Sequence, residues 1–185
     1  MPLSITWDFF IAVFLALVIA YSFIIGKDES VKVIVAAYIS IVAVQGIESL
    51  FIRYAPLFAQ SLSNLHITLT PFSVALLKLG LFILSVIVLT LRGGLAVSYE
   101  GEPGMVMNTA ITGLLGIAKA GLLLSTLTTY VAGMPMMSSA GVIPAAWLVP
   151  LLEQSIILRM ILEYRDVWFA LPAFALLLSD LLSKE

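Results

Sequence analysis

Four apolar stretches, each long enough to cross a hydrocarbon core as a helix, set the limits on what this chain can fold into. Phe9 to Ile25 is interrupted only by Ser22, and with Trp7 it reaches the ~20 residues that a spanning helix needs. Val31 to Phe51 is the second, Pro71 to Leu91 the third, and a fourth starts near Asn108 and reaches about Val131. These runs are continuous rather than alternating, which excludes a strand reading and with it a transmembrane barrel. The expected fold is all-α, a polytopic membrane helix bundle with four transmembrane helices and a membrane-associated C-terminal tail.

Composition points the same way. Of 185 residues, 62% are hydrophobic and 11% charged, against roughly 45–50% and 25% in soluble proteins. So few charges cannot cover a soluble domain, so a soluble enzyme and a disordered chain are both excluded. Nine Lys/Arg without a basic run, and a net charge of −2, argue against nucleic acid as a partner. With no cysteine there is no disulfide and no thiolate metal site.

The first run reads as a retained span rather than a cleaved signal peptide. No Lys or Arg precedes it, and Ile24-Ile25-Gly26-Lys27 lacks a small-x-small cleavage site. Gly26 to Ser30 reads as a short polar turn, with Gly26 as a C-cap and Ser30 as the next N-cap. Arg53 to Thr70 reads as a longer connection, and Pro71 suits the first turn of the third span. Asn108 is expected to N-cap the fourth. Gly133 to Pro144 is rich in Gly, Pro, Met and Ser and marks the best boundary. The expected organisation is therefore a four-helix membrane domain over 1–132, then a Gly/Pro linker and C-terminal apolar or amphipathic helices over 133–185. The tail segments, Ala145 to Leu162 and Val167 to Leu182, are short or proline-broken and suit interfacial or re-entrant helices lying against the bundle. Lys27, Lys32 and Arg92 against Arg53 favour an outside N-terminus, while Arg159, Arg165 and Lys184 pull the other way.

Ionisable residues within spans each need a physical reason. Glu48 lies near the end of the second span and Lys78 one-third of the way into the third. Sequential antiparallel spans bring them to similar depth, so they form a candidate ion pair. The alternative has Lys78 snorkelling and Glu48 interfacial. Lys119 falls near the middle of the fourth span. A contact to a backbone carbonyl or to Gln45 and a transport role both remain open for it. His66 has no carboxylate or second histidine nearby in sequence and reads as a loop or interfacial residue. No nucleophile–base pattern, metal motif or nucleotide-binding loop occurs, so the chain is expected to be non-enzymatic and to need no cofactor or metal.

The fourth span carries the most patterned signal. Thr112, Gly116 and Ala120 recur at spacing four, as do Gly113, Ile117 and Gly121. Small residues at that spacing let helix backbones approach closely in lipid. Such a surface serves either packing within the chain or a contact between subunits.

Trp7-Asp8 opening an apolar helix, the short charged turn, the second helix and the longer loop resemble the colicin V production protein (CvpA) family. Asn108, Gly113, Gly116 and Lys119-Ala120-Gly121 look like that family's Gly-rich final membrane helix. The resemblance covers roughly residues 5–132. The family's Arg-Gly in the first turn is absent, where this chain has Gly26-Lys27-Asp28-Glu29. The resemblance implies a bacterial inner-membrane protein linked to toxin export, secretion and envelope homeostasis, without catalytic chemistry. The alternatives are a small oligomeric channel or transporter protomer and a structural subunit of a larger membrane complex. The expected partners are the lipid bilayer and either further copies of the chain or another membrane protein.

Overall fold

The computed structural model describes residues 7–64, 70–92, 105–133 and 149–182. Every element among them is an α-helix: α1 (Trp7–Asn64), α2 (Pro71–Arg92), α3 (Met105–Val131), α4 (Val149–Gln154), α5 (Ile156–Glu163) and α6 (Arg165–Leu182). Among the described residues, three helices are long and apolar enough to cross a membrane, over Trp7–Tyr54, Phe72–Arg92 and Val106–Val131.

α1 is broken at one residue. Gly26 has φ 83° and ψ −177°, a backbone conformation that residues with a Cβ rarely adopt. The break divides α1 into an amino-terminal arm (7–25) and a carboxy-terminal arm (27–64). Both arms lie against α3. A Cβ on Gly113 would stand 3.3 Å from Phe23, one on Gly116 would stand 3.1 Å from Ser22, and Ile11 shares an apolar cluster with Leu124. Numbers on the first arm fall as those on α3 rise, so the two run antiparallel. On the second arm, Val31, Ile34, Ala37, Ile41 and Val44 share one core with Ile111, Leu115, Ala118 and Leu122 of α3. The 27 residues of α3 extend ~40 Å, whereas a straight helix from Ile11 to Glu48 would cover ~55 Å. The chain therefore folds back at Gly26.

α2 runs antiparallel to the second arm. Ser40 Oγ donates to Ser85 Oγ at 2.9 Å, and eight residues further along α1 Glu48 meets Lys78. Thr70 caps α2, its Oγ1 accepting from the Ser73 N–H at 3.2 Å, and Pro71 takes the first helical position as the sequence predicts. α6 returns along α3. Trp168 stacks on Gly121 near one end, and Asp180 lies within electrostatic range of Lys27 near the other. α3 is thus the central helix, flanked by both arms of α1, by α2 and by α5 and α6.

Several expected boundaries move. The predicted polar turn over Gly26–Ser30 is helical except at Gly26, because one positive-φ residue suffices for the reversal. Ser30 is consequently a buried helix-interior residue, not an N-cap. Glu29 and Lys32, paired at 2.5 Å, reinforce the helix restart. The predicted connection over Arg53–Thr70 is helical as far as Asn64. α3 starts at Met105, so Asn108 lies inside it, and its carbonyl accepts the Thr112 hydroxyl at 2.8 Å. α6, by contrast, lies against the bundle as the sequence leads one to expect. Ala175 belongs to the main core, and Phe169, Leu171 and Leu176 pack against it.

The candidate functional site inside the bundle

Central placement makes α3 the most enclosed helix, and its sequence suits that place. Thr112, Lys119, Ser125, Thr126, Thr128 and Thr129 are all buried. A helix facing lipid could not carry so many polar groups. A helix facing other helices can, because short hydroxyls return to their own backbone. Thr126 Oγ1 donates to Leu122 O and Thr129 Oγ1 to Ser125 O, both at 2.7 Å.

The small residues of α3 act as notches. Gly113 receives Phe23 and Gly116 receives Ser22, whose hydroxyl turns back to Val18 O at 2.9 Å. Ala120 is fully buried. Gly121 is the tightest position, since an added Cβ would stand 2.0 Å from Trp168 Cε3. Two different partners thus use the glycines: the first arm of α1 takes Gly113 and Gly116, and α6 takes Gly121.

Lys119 is 2% exposed, and its Nζ has no hydrogen-bond partner. The ammonium lies 5.4 Å from the centroid of the Tyr21 ring, within cation–π range. Among the described residues, the contact to a backbone carbonyl or to Gln45 does not form. Gln45 is half-buried on the second arm of α1, whereas Lys119 turns towards the first. Ser125 Oγ and the Tyr130 hydroxyl are likewise buried without hydrogen bonds.

Glu48 and Lys78 do come together. Lys78 Nζ donates to Glu48 Oε1, with the two side chains 29% (Glu48) and 13% (Lys78) exposed. The pair lies in a cavity of about 320 Å³ between the second arm of α1 and α2, otherwise lined by apolar side chains such as Val44, Phe51, Leu77 and Leu81. Tyr130 is close enough to feel the Glu48 charge, and its ring meets Phe82 edge-on at 5.6 Å.

At the opposite end of the first arm, Asp8 Oδ1 accepts from Ser155 Oγ at 2.5 Å and from the Ile157 N–H at 3.2 Å. Ser155 in turn caps α5, accepting from the Leu158 N–H at 3.0 Å. Asp8 therefore completes the α5 cap from 147 residues away. Sequence inspection singled out Trp7-Asp8 without assigning this role. A serine that opens an apolar helix was the available signal.

His66 lies outside the described residues. Among the described residues, no group of three His, Asp or Glu side chains is placed to hold a metal ion.

Apolar side chains cover the outside: Phe10, Leu17, Val42, Ile52, Leu84 and Phe174 are all more than half exposed. An all-helical chain with an apolar exterior and its polar groups gathered on a central helix belongs to the class of membrane-embedded bundles. No family model, curated protein or solved structure matches the chain.

Proposed function

We propose that this chain is a non-enzymatic, multi-pass protein of the bacterial inner membrane, of the CvpA type, that supports toxin export, secretion or envelope homeostasis. In this reading the chain crosses the bilayer four times before Val131, with the two arms of α1 as separate crossings. The observation that carries it is the glycine-notched α3, held between the arms of α1 with the resembling residues Gly113, Gly116 and Gly121 all in close contacts. The fold-back of α1 at Gly26 supports the reading of its two arms as separate crossings.

Two measurements test it. The chain has no cysteine, so single cysteines at Asp28, Arg92 and Thr70 report sidedness without background. Labelling of Asp28→Cys and Arg92→Cys from one side and Thr70→Cys from the other is expected. Labelling of all three from one side rejects the four-crossing count. Separately, expression in a bacterium lacking its own CvpA-type protein is expected to restore colicin V release. Failure of a stably inserted protein to do so rejects the export role.

A second reading, as a protomer of an oligomeric channel or transporter, rests on Lys119. A membrane-embedded ammonium without a hydrogen-bond partner is costly and marks a functional group. Modification of Lys119→Cys by a water-soluble reagent in the assembled protein favours this reading, and complete protection rejects it.

A further inference from the structure

The cavity between the second arm of α1 and α2 has a composition that defines an occupant. Its walls are apolar: Val44 and Leu81 lie towards the bundle centre, Phe51 and Val74 towards the end of the helices. One cation and one anion, Lys78 and Glu48, sit midway along it. Its mouth opens outward between Ile47, Ile52 and Leu77, which are exposed. Glu48 lies six residues before Tyr54, where the apolar span of α1 ends, and Lys78 follows Pro71 by seven, which puts the pair roughly 9–11 Å inside the ends of the apolar spans. In a bilayer that is just beneath the headgroups, within reach of side chains that extend towards the interface.

We propose that this groove binds a single zwitterionic phospholipid with a primary ammonium, of the phosphatidylethanolamine type. The acyl chain lies along Val44, Leu77 and Leu81. The headgroup phosphate accepts from Lys78, and its ammonium donates to Glu48. An ammonium has three N–H donors and a carboxylate has about four lone-pair sites, so their mutual hydrogen bond exhausts neither. Charge complementarity selects the headgroup. An anionic lipid brings a second negative charge beside Glu48, and a cationic amphiphile brings a second positive charge beside Lys78. A headgroup with both signs adds one partner to each. A trimethylated ammonium offers no N–H to Glu48, so choline lipids bind less well than ethanolamine lipids. The inference is independent of the export reading and needs only the membrane setting.

The test uses the full chain in detergent, exposed to an equimolar mixture of phosphatidylethanolamine, phosphatidylcholine and phosphatidylglycerol with matched acyl chains. Native mass spectrometry reads the retained lipid. One equivalent of phosphatidylethanolamine is expected, in roughly tenfold excess over either competitor, as one charge-assisted hydrogen bond provides. The neutral pair Glu48→Gln/Lys78→Gln should lose the headgroup preference. Leu77→Trp, which fills the mouth from an exposed position, should lose retention altogether while the melting temperature stays unchanged. If the neutral pair fails to fold, Leu77→Trp decides alone. Equal retention of the three lipids, a preference for phosphatidylglycerol, or phosphatidylethanolamine binding that survives Leu77→Trp overturns the proposal.

Discussion

The Tyr38 hydroxyl donates to the backbone carbonyl of Phe169, and the Ala173 N–H faces the same hydroxyl. Pro172 lies inside α6 and carries no N–H, so it cannot donate to the Trp168 carbonyl one turn earlier. The Tyr38 hydroxyl meets α6 at this proline-weakened turn and ties it to the second arm of α1 from 131 residues away.

Tyr38→Phe removes the hydroxyl that bridges the second arm of α1 to the Phe169 carbonyl. A loss of about 1 kcal/mol is expected, within the range measured for hydrogen bonds between membrane helices. With Pro172→Ala the turn regains an N–H that donates to the Trp168 carbonyl, so the Tyr38 contact has less to support and Tyr38→Phe should then cost less. A double-mutant cycle on unfolding free energy checks the coupling, and equal costs in both backgrounds refute the bridging role.

Gly121→Ala forces Trp168 to move, since no space exists for a Cβ. Destabilisation of about 1–3 kcal/mol is expected from overpacking. Trp168→Leu should relieve most of it. Gly116→Leu should likewise splay the first arm of α1 from α3. Ile117→Phe, on an exposed position of the same helix, should leave the melting temperature unchanged.

For the Glu48–Lys78 pair, removing one partner strands the other in a poorly solvated place. Lys78→Gln or Glu48→Gln alone should each cost about 1–3 kcal/mol, less than the 3–5 kcal/mol of a fully buried pair, because both side chains keep some exposure. The double variant Glu48→Gln/Lys78→Gln should cost less than the sum of the singles. Strict additivity in thermal or steric-trapping measurements contradicts the interaction.

Lys119→Met should raise stability, by on the order of 1 kcal/mol or more, because it replaces a buried ammonium without a hydrogen-bond partner with an apolar chain of similar length. Melting temperature in detergent reads the change. A decrease shows that the ammonium has a stabilising partner in the membrane.

Asp8→Ala should loosen α5 locally. Hydrogen exchange is expected to rise at the Ile157 amide and to spread to Leu158 as the Ser155 cap weakens. Unchanged protection there shows that Ser155 caps α5 unaided.

Much of this was legible in the sequence for local reasons. A long apolar run in lipid must satisfy its backbone internally, so the run predicts a helix whatever surrounds it. Rise per residue then places Glu48 and Lys78 at similar depth on sequential helices, which makes them a candidate pair, and the packing of α2 on α1 decided for the pair over snorkelling. Pro71 at a helix start follows from a missing N–H in the same local way. Glycines at spacing four announce close contact because nothing else compensates for them in a helix. The identity of each partner was another matter. Gly113 and Gly116 accept the first arm of α1 while Gly121 accepts Trp168, and spacing on one helix carries no information about which neighbour arrives. The reach of α6 along α3 was hidden because hydropathy and length describe α6 alone, whereas its inner face is defined by α3. Ser30 read as a cap because a serine after a polar turn usually caps, yet a single left-handed Gly26 reversed the chain and let the helix continue through it. Asp8 on Ser155, Tyr38 on Phe169 and the solitary Lys119 all arise from segments far apart in the chain. Local hydropathy and backbone chemistry determined the helices. Packing between distant segments decided which polar groups met a partner and which did not.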